Sequence, residues 1–193
     1  CSTAVARLQN TAGRYIDYLN MRHELGYDMT NTVCLFPRDL DTAHARMVEE
    51  SNKKEADIRI ASVCVKYPLI KKHYRRYRKQ FYFADGEFLI RPARDAGEIV
   101  MEGRILHHCV GGDNYLRKHN DGKSIILFLR AEADPDMPYI TVEIDPGKKT
   151  VMQWHGAHDK KPDRERMQKW LDAYVARLKC GQDAAQGLLM VAI

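Results

Sequence analysis

Ser124-Ile125-Ile126-Leu127-Phe128-Leu129-Arg130, Tyr139-Ile140-Thr141-Val142-Glu143-Ile144 and Thr150-Val151-Met152-Gln153-Trp154 are three runs rich in β-branched and aromatic residues. They are separated by Asp134-Pro135-Asp136-Met137-Pro138 and by Asp145-Pro146-Gly147-Lys148-Lys149. Both separators are turn sequences: proline presets φ, glycine tolerates positive φ, and aspartate hydrogen-bonds its own backbone. Connections this short join antiparallel strands, because a parallel return needs a crossover of about a dozen residues or more. The three runs therefore read as an antiparallel meander. Period-two alternation puts Thr141 and Glu143 on one face and Ile140, Val142 and Ile144 on the other.

Working outward, Phe81 to Phe83 and Phe88 to Ile90 flank Ala84-Asp85-Gly86-Glu87, where Asp-Gly between aromatic-rich runs signals a hairpin. Upstream, Val5, Leu8, Ala12, Tyr15, Ile16 and Leu19 recur at helical spacing up to a stop at Gly26. Val33 to Phe36 is short, apolar and β-leaning before Pro37. Asp39 caps a helix carrying Leu40, Ala43, Met47 and Val48, which continues through Val65 to a bend or restart at Pro68. Leu69 to Gln80 reads as helical. Asp95 with Glu98 forms a capping box ahead of Ile99, Val100 and Met101, and Asp113 caps a shorter helix ended by Gly122. Pro162 and Asp163 open a last helix through Met167, Trp170, Leu171, Tyr174 and Leu178, after which Leu188 to Ile193 adds a strand or packs as an apolar tail. Helices, then sheet, then a closing helix make an α+β fold. The expected organisation is a helical region over 1–80 packed on an α+β core over 81–193, as one compact unit.

The chemistry concentrates in Glu102-Gly103-Arg104-Ile105-Leu106-His107-His108-Cys109-Val110-Gly111-Gly112, between two expected helices. Cys109 is a candidate nucleophile, since a thiolate is favoured by a helix N-terminus, an imidazolium or a guanidinium. Buried packing is the alternative reading for a free cysteine. His108 and Cys109 diverge by about 100° if helical, so the base can equally be His107 or His155. Gly111-Gly112 permits positive φ or close backbone approach. Arg130, Glu143 and Gln153 fall on three successive strands, where a meander aligns them beside this stretch as a ligand-binding or catalytic group. An Arg130–Glu143 ion pair across the sheet is the structural alternative.

Leu106-His107-His108-Cys109-Val110-Gly111 is followed in order by Tyr115, Gly122-Lys123-Ser124, Phe128-Leu129-Arg130, Pro138, Thr141-Val142-Glu143 and Gln153. This order resembles the PcfJ-like family, and the resemblance extends upstream to Tyr18-Leu19, Leu25-Gly26, Leu35-Phe36-Pro37 and Ala43-His44, covering about Tyr15 to Gly156. It implies a context of conjugative plasmids and phage-like mobile elements, with other mobile-element proteins as partners, and supplies no established activity. Two positions depart from the pattern: Ala45 stands where an acidic residue is expected, and His158 where an asparagine is expected. The candidate pocket residues are His108, Cys109, Arg130, Glu143 and Gln153. A cysteine-dependent transferase or hydrolase acting on an anionic substrate would use Cys109 to attack, His108 or His155 as base, and Arg130 to steady the anion. A non-catalytic interaction domain is the third class. Histidines 107, 108, 119, 155 and 158 with Cys109 are donors of the type zinc accepts, but their spacing matches no familiar pattern. The expected pocket is metal-free, with no cofactor.

The net charge is +5, and Lys71, Lys72, Arg75, Arg76, Arg78 and Lys79 account for all of it. Aromatics interleave with these cations, as on a surface that tracks a nucleic-acid backbone. Ile70, Tyr74, Tyr77 and Phe81 also fall on one helical face, so the aromatics can be core and the cations a solvated opposite face. Five widely spaced cysteines without a CxxC pair argue against a disulfide scaffold and a zinc ribbon. No run of about 18 apolar residues is present and no charged-then-apolar leader precedes a cleavage site. The expectation is a soluble cytoplasmic chain without membrane insertion; its start at Cys1 rather than Met leaves open that it is a fragment.

Overall fold

The computed structural model describes the backbone of residues 2–190 and the side chains of residues 5–180. Contacts divide the chain into two units, 1–59 and 60–193.

In the first unit, α1 (Ser2–Leu25) ends at Gly26, whose φ of 81° reverses the chain. The reversal is closed by Gly26 N–H to His23 O at 3.0 Å and Tyr27 N–H to Arg22 O at 3.0 Å. The stretch expected to lean toward a strand is instead the one-turn helix α2 (Thr32–Leu35). Asn31 decides this: its side chain accepts from Val33 N–H at 3.1 Å, and the capping outweighs the weak strand preference of four residues. Tyr15 Oη donates to Leu35 O at 2.9 Å and Tyr18 Oη donates to Cys34 O, fastening α2 to α1. The third helix, α3 (Leu40–Lys66), is capped by Asp39, which accepts from Thr42 N–H at 3.1 Å.

The second unit holds the last turns of α3 and then α4 (Pro68–Phe81), which restarts with proline at its first position, where no donor is needed. The strands β1 (Phe83–Ala84), β2 (Phe88–Pro92), β3 (Ile125–Ala131), β4 (Ile140–Asp145) and β5 (Thr150–His155) form one antiparallel sheet in sequence order. Hairpin and meander are thus a single sheet, joined through pairs such as Leu89↔Arg130. Between β2 and β3 lie α5 (Ala96–Ile105), a 3-10 turn (Cys109–Gly111) and α6 (Asp113–Asn120); α7 (Arg164–Met190) closes the chain. Leu188 to Met190 therefore continue a helix rather than start a strand, and 191–193 lie outside the described residues. The mixture of helices with an antiparallel sheet is α+β.

Each face of the sheet has its own core. Ile125, Leu127, Leu129, Ile140, Val142, Ile144 and Trp154 pack with Tyr77 and Phe81 of α4 and with Met167, Leu171 and Tyr174 of α7. Ile126 and Phe128 point the other way, against Ile99 and Val100 of α5, Val110 and Leu116. Fully burying one such side chain stabilises by about 1.5–3 kcal/mol, so the β3 run, buried from Ile125 to Arg130, is the centre of the fold.

Two local devices shape the second face. A β-bulge between Glu143 and Ile144 matches Glu143 with Gln153 but Ile144 with Val151, leaving Met152 as the extra residue. The bulge shifts the alternation by one, so Val151 and Trp154 pack toward α7 while Gln153 and His155 face α5. The glycines of the central stretch serve close approach. A Cβ at Gly103 would lie 2.8 Å from Gly111 N, and one at Gly111 would lie 3.0 Å from Val100 Cα. Positive φ falls on His107 instead, at 52°.

Candidate functional site

The approach of the 3-10 turn to α5 leaves a cavity of about 260 Å³ between that turn, α6 and strands β3 to β5. Its lining includes His108, Cys109, Tyr115, Glu143, Gln153 and His155, with Val110 and Ile126 as apolar wall. Of the five sequence candidates, His108, Cys109, Glu143 and Gln153 line it. Arg130 lies on the same sheet face but is not in the lining.

Arg130 and Glu102 form a buried pair, with side chains 3% and 2% exposed. Nη1 donates to Oε1 at 3.0 Å and Nη2 to Oε2 at 2.5 Å. The cross-sheet alternative, Arg130 with Glu143, does not form, because register sets Arg130 opposite Leu89 and Glu143 opposite Ile126 and Gln153. Burial raises the Glu102 carboxyl above its ordinary pKa, opposed by Arg130 and Thr141. Glu102 was missed as a partner. Its sequence signal is the three-residue spacing from Ile99, which puts an acid on the apolar face of α5.

From this pair a chain of hydrogen bonds runs to the cavity. Thr141 Oγ1 donates to Glu102 Oε1 at 3.0 Å and lies 3.1 Å from His108 Nε2. A hydroxyl has one proton and the carboxylate can only accept, so Thr141 accepts from His108 Nε2–H. Desolvation lowers the His108 pKa, with Asp159 opposing.

A second chain is built on Glu143, which is 4% exposed. Ser124 Oγ donates to Oε1 at 2.6 Å and Gln153 Nε2 donates to Oε2 at 2.6 Å. Gln153 Nε2 also donates to Tyr115 Oη at 3.2 Å, and Cys109 Sγ lies 3.7 Å from the same oxygen. The Cys109 hydrogen bond and burial raise the Tyr115 pKa. Cys109 is exposed, and its polar partner is this phenol rather than an imidazole.

The other histidines have separate roles. His107 and His158 stack in parallel with centroids 4.8 Å apart, and His158 N–H donates to Leu106 O at 2.7 Å. Both residues sit at left-handed φ, 52° and 55°. That explains the departure noted at His158: the position needs a residue that tolerates positive φ, as asparagine and histidine do. His119 is fully buried, accepts from Ile126 N–H at 3.2 Å through Nδ1, and has its pKa lowered to about 3 by desolvation. Among the described residues no group of three or more His, Cys, Asp or Glu is arranged to hold a metal ion. Asp113, expected as a cap, is the first residue of α6 and binds Lys66 Nζ at 2.6 Å and Tyr67 Oη instead.

The second candidate is the outer face of α4. Ile70, Tyr77 and Phe81 are buried while Lys71, Lys72, Arg75, Arg76, Arg78 and Lys79 are all exposed. α4 carries no acidic residue, and none of the six cations is paired with a carboxylate among the described residues. Tyr74, Arg75, Arg78, Lys79 and Tyr82 line an open groove of about 590 Å³. No helix among the described residues is long and apolar enough to cross a membrane.

An uncharacterised protein of Listeria innocua is 26% identical over 151 residues, covering 78% of this chain but 31% of the relative, so the chain spans under one third of that protein's length. No solved structure matches significantly. The profile of the family described as PcfJ-like protein matches residues 14–171, which runs from the second half of α1 to the first turns of the last helix and takes in every residue of the cavity. The chain belongs to the PcfJ-like protein family.

Proposed function

We propose that this PcfJ-like chain is a nucleic-acid-binding protein of a mobile genetic element, acting in the cytoplasm and engaging phosphates through α4. The observation that carries the reading is the set of six exposed cations on one acid-free helix whose opposite face is core. A row of unneutralised cations releases counterions from a polyanion, which favours association without reading sequence. Tyr74 and Tyr82 beside Arg75 and Arg78 add ring faces on which an unpaired base can stack. Single-stranded substrate is therefore favoured over duplex. The free thiols of Cys34, Cys64, Cys109 and Cys180 accord with a reducing compartment.

Anion-directed cysteine chemistry gains less support. Arg130 is consumed by Glu102, and Cys109 is hydrogen-bonded to Tyr115 rather than to a base. The test is fluorescence anisotropy with labelled single-stranded and duplex oligonucleotides over a salt series, for the parent and for a variant with Arg75, Arg76 and Arg78 changed to Ala. Binding that weakens with salt and falls in the variant is the expected result. Undetectable binding at low salt, or binding indifferent to the substitutions, rejects it.

A further inference from the structure

The cavity beneath the 3-10 turn is opposite in character to the α4 face. Neither Lys nor Arg lines it, whereas the carboxylates of Glu143 and Asp159 do. Each Glu143 oxygen accepts one internal hydrogen bond, from Ser124 or Gln153. A carboxylate oxygen has two acceptor directions, so one remains on each. The same carboxylate fixes the Gln153 amide: only the NH₂ end can face it. Both Nε2 protons are then used, on Glu143 and Tyr115, and Oε1 has no hydrogen-bond partner among the described residues. The result is a small cleft with polar surface composed mainly of acceptors and with Val110 and Ile126 as apolar wall.

We propose that this cavity binds a planar head group rich in N–H donors, of the guanidinium or amino-nucleobase type, and excludes anions. An entering N–H edge meets Glu143 and Gln153 Oε1 in charge-assisted or ordinary hydrogen bonds, while its faces lie against the apolar wall. An anion would be desolvated beside two carboxylates with no cation in the lining to offset the cost. The guanidinium of Arg130 does not change this balance, because both of its terminal nitrogens are bound to Glu102 beneath Thr141. The inference rests on the cavity alone and is independent of nucleic-acid binding by α4.

The test titrates the chain with methylguanidine, cytidine, adenosine and inorganic phosphate, following the Gln153 side-chain amide resonances by NMR and heat by calorimetry. At least one N–H-donating probe binds saturably, and phosphate neither binds there nor competes. Glu143→Gln, which keeps the shape and removes the charge, weakens that probe at least about tenfold, the ratio expected for a charge-assisted bond. Asp159→Asn, with a side chain 60% exposed, removes the other carboxylate charge of the lining should the first variant unfold, and weakens binding about threefold or more. A methylguanidine response without a nucleoside response assigns an arginine-like ligand, and the converse assigns a base. Preferential binding of phosphate, unchanged affinity in whichever variant folds, or no response to any of the N–H-donating probes overturns the proposal.

Discussion

Arg130 of β3 clasps Glu102 of α5 through two parallel hydrogen bonds at 3.0 and 2.5 Å, with Thr141 bonded to the same carboxylate. This pair sits under the cavity rather than in it and fixes the height of α5 above the sheet. Removing one partner leaves an uncompensated buried charge, at a cost of about 3–5 kcal/mol. Arg130→Met and Glu102→Leu are each expected to destabilise by that order in urea unfolding. The double variant should be less destabilised than the sum, since an apolar replacement of both is close to neutral. A double variant as unstable as the sum would show that the two side chains act separately.

Acid should expose His119. Its folded pKa of about 3 lies below the ordinary value of 6.5 because burial penalises the cation. Between those values the unfolded chain binds a proton that the folded chain does not. The contribution is therefore fully present above about pH 6.5 and is lost as pH falls toward 3, at roughly 1.4 kcal/mol per pH unit. In His119→Asn, whose side-chain oxygen can still accept from Ile126 N–H, the stability difference from the parent should shrink steadily over that range. A difference that stays constant with pH would refute the assignment.

Gly103→Ala tests the close approach that forms the cavity. Alanine gains about 1 kcal/mol in helix propensity over glycine. Here its Cβ would meet Gly111 N at 2.8 Å and His108 O at 2.9 Å, both backbone atoms that cannot swing aside. Overpacking costs typically about 1–3 kcal/mol, so net destabilisation is expected, with shifted NMR signals for His108 and Cys109. A stabilised variant with unchanged signals would show that the turn yields freely.

His158 is held at φ 55° and ψ 38°. His158→Asn should leave stability within about 0.5 kcal/mol, because asparagine adopts that region readily, whereas His158→Val should cost about 1–2 kcal/mol. Thermal unfolding of the two variants decides it; equal losses would point to the ring stack with His107 as the dominant contribution.

For α4, the salt dependence can be counted. A single strand releases about 0.7 counterion per neutralised phosphate. Changing Arg75, Arg76 and Arg78 to Ala should therefore flatten the slope of log K against log salt by about 2. An unaltered slope would show that these residues do not meet phosphates.

What the sequence determined by itself was whatever depends on neighbours in the chain. The Asp134 and Asp145 turns, the period-two pattern of β4, the Asp95 cap and the apolar stripe of α4 are local physics, and they specify the meander, the helices and the exposed cationic face. Two short-range expectations failed: the local cap of Asn31 turned Val33 to Leu35 into helix, and the tertiary contacts of Lys66 and Tyr67, 47 and 46 residues away, drew Asp113 away from capping. Tertiary structure alone decided the rest. That Arg130 meets Glu102 across 28 residues instead of Glu143, and that Glu143 meets Ser124 and Gln153, follows from strand register, a one-residue bulge at Met152 and the fit of Gly103 against Gly111. Each of these fixes distances between segments remote in sequence, and no periodicity within one segment carries that information.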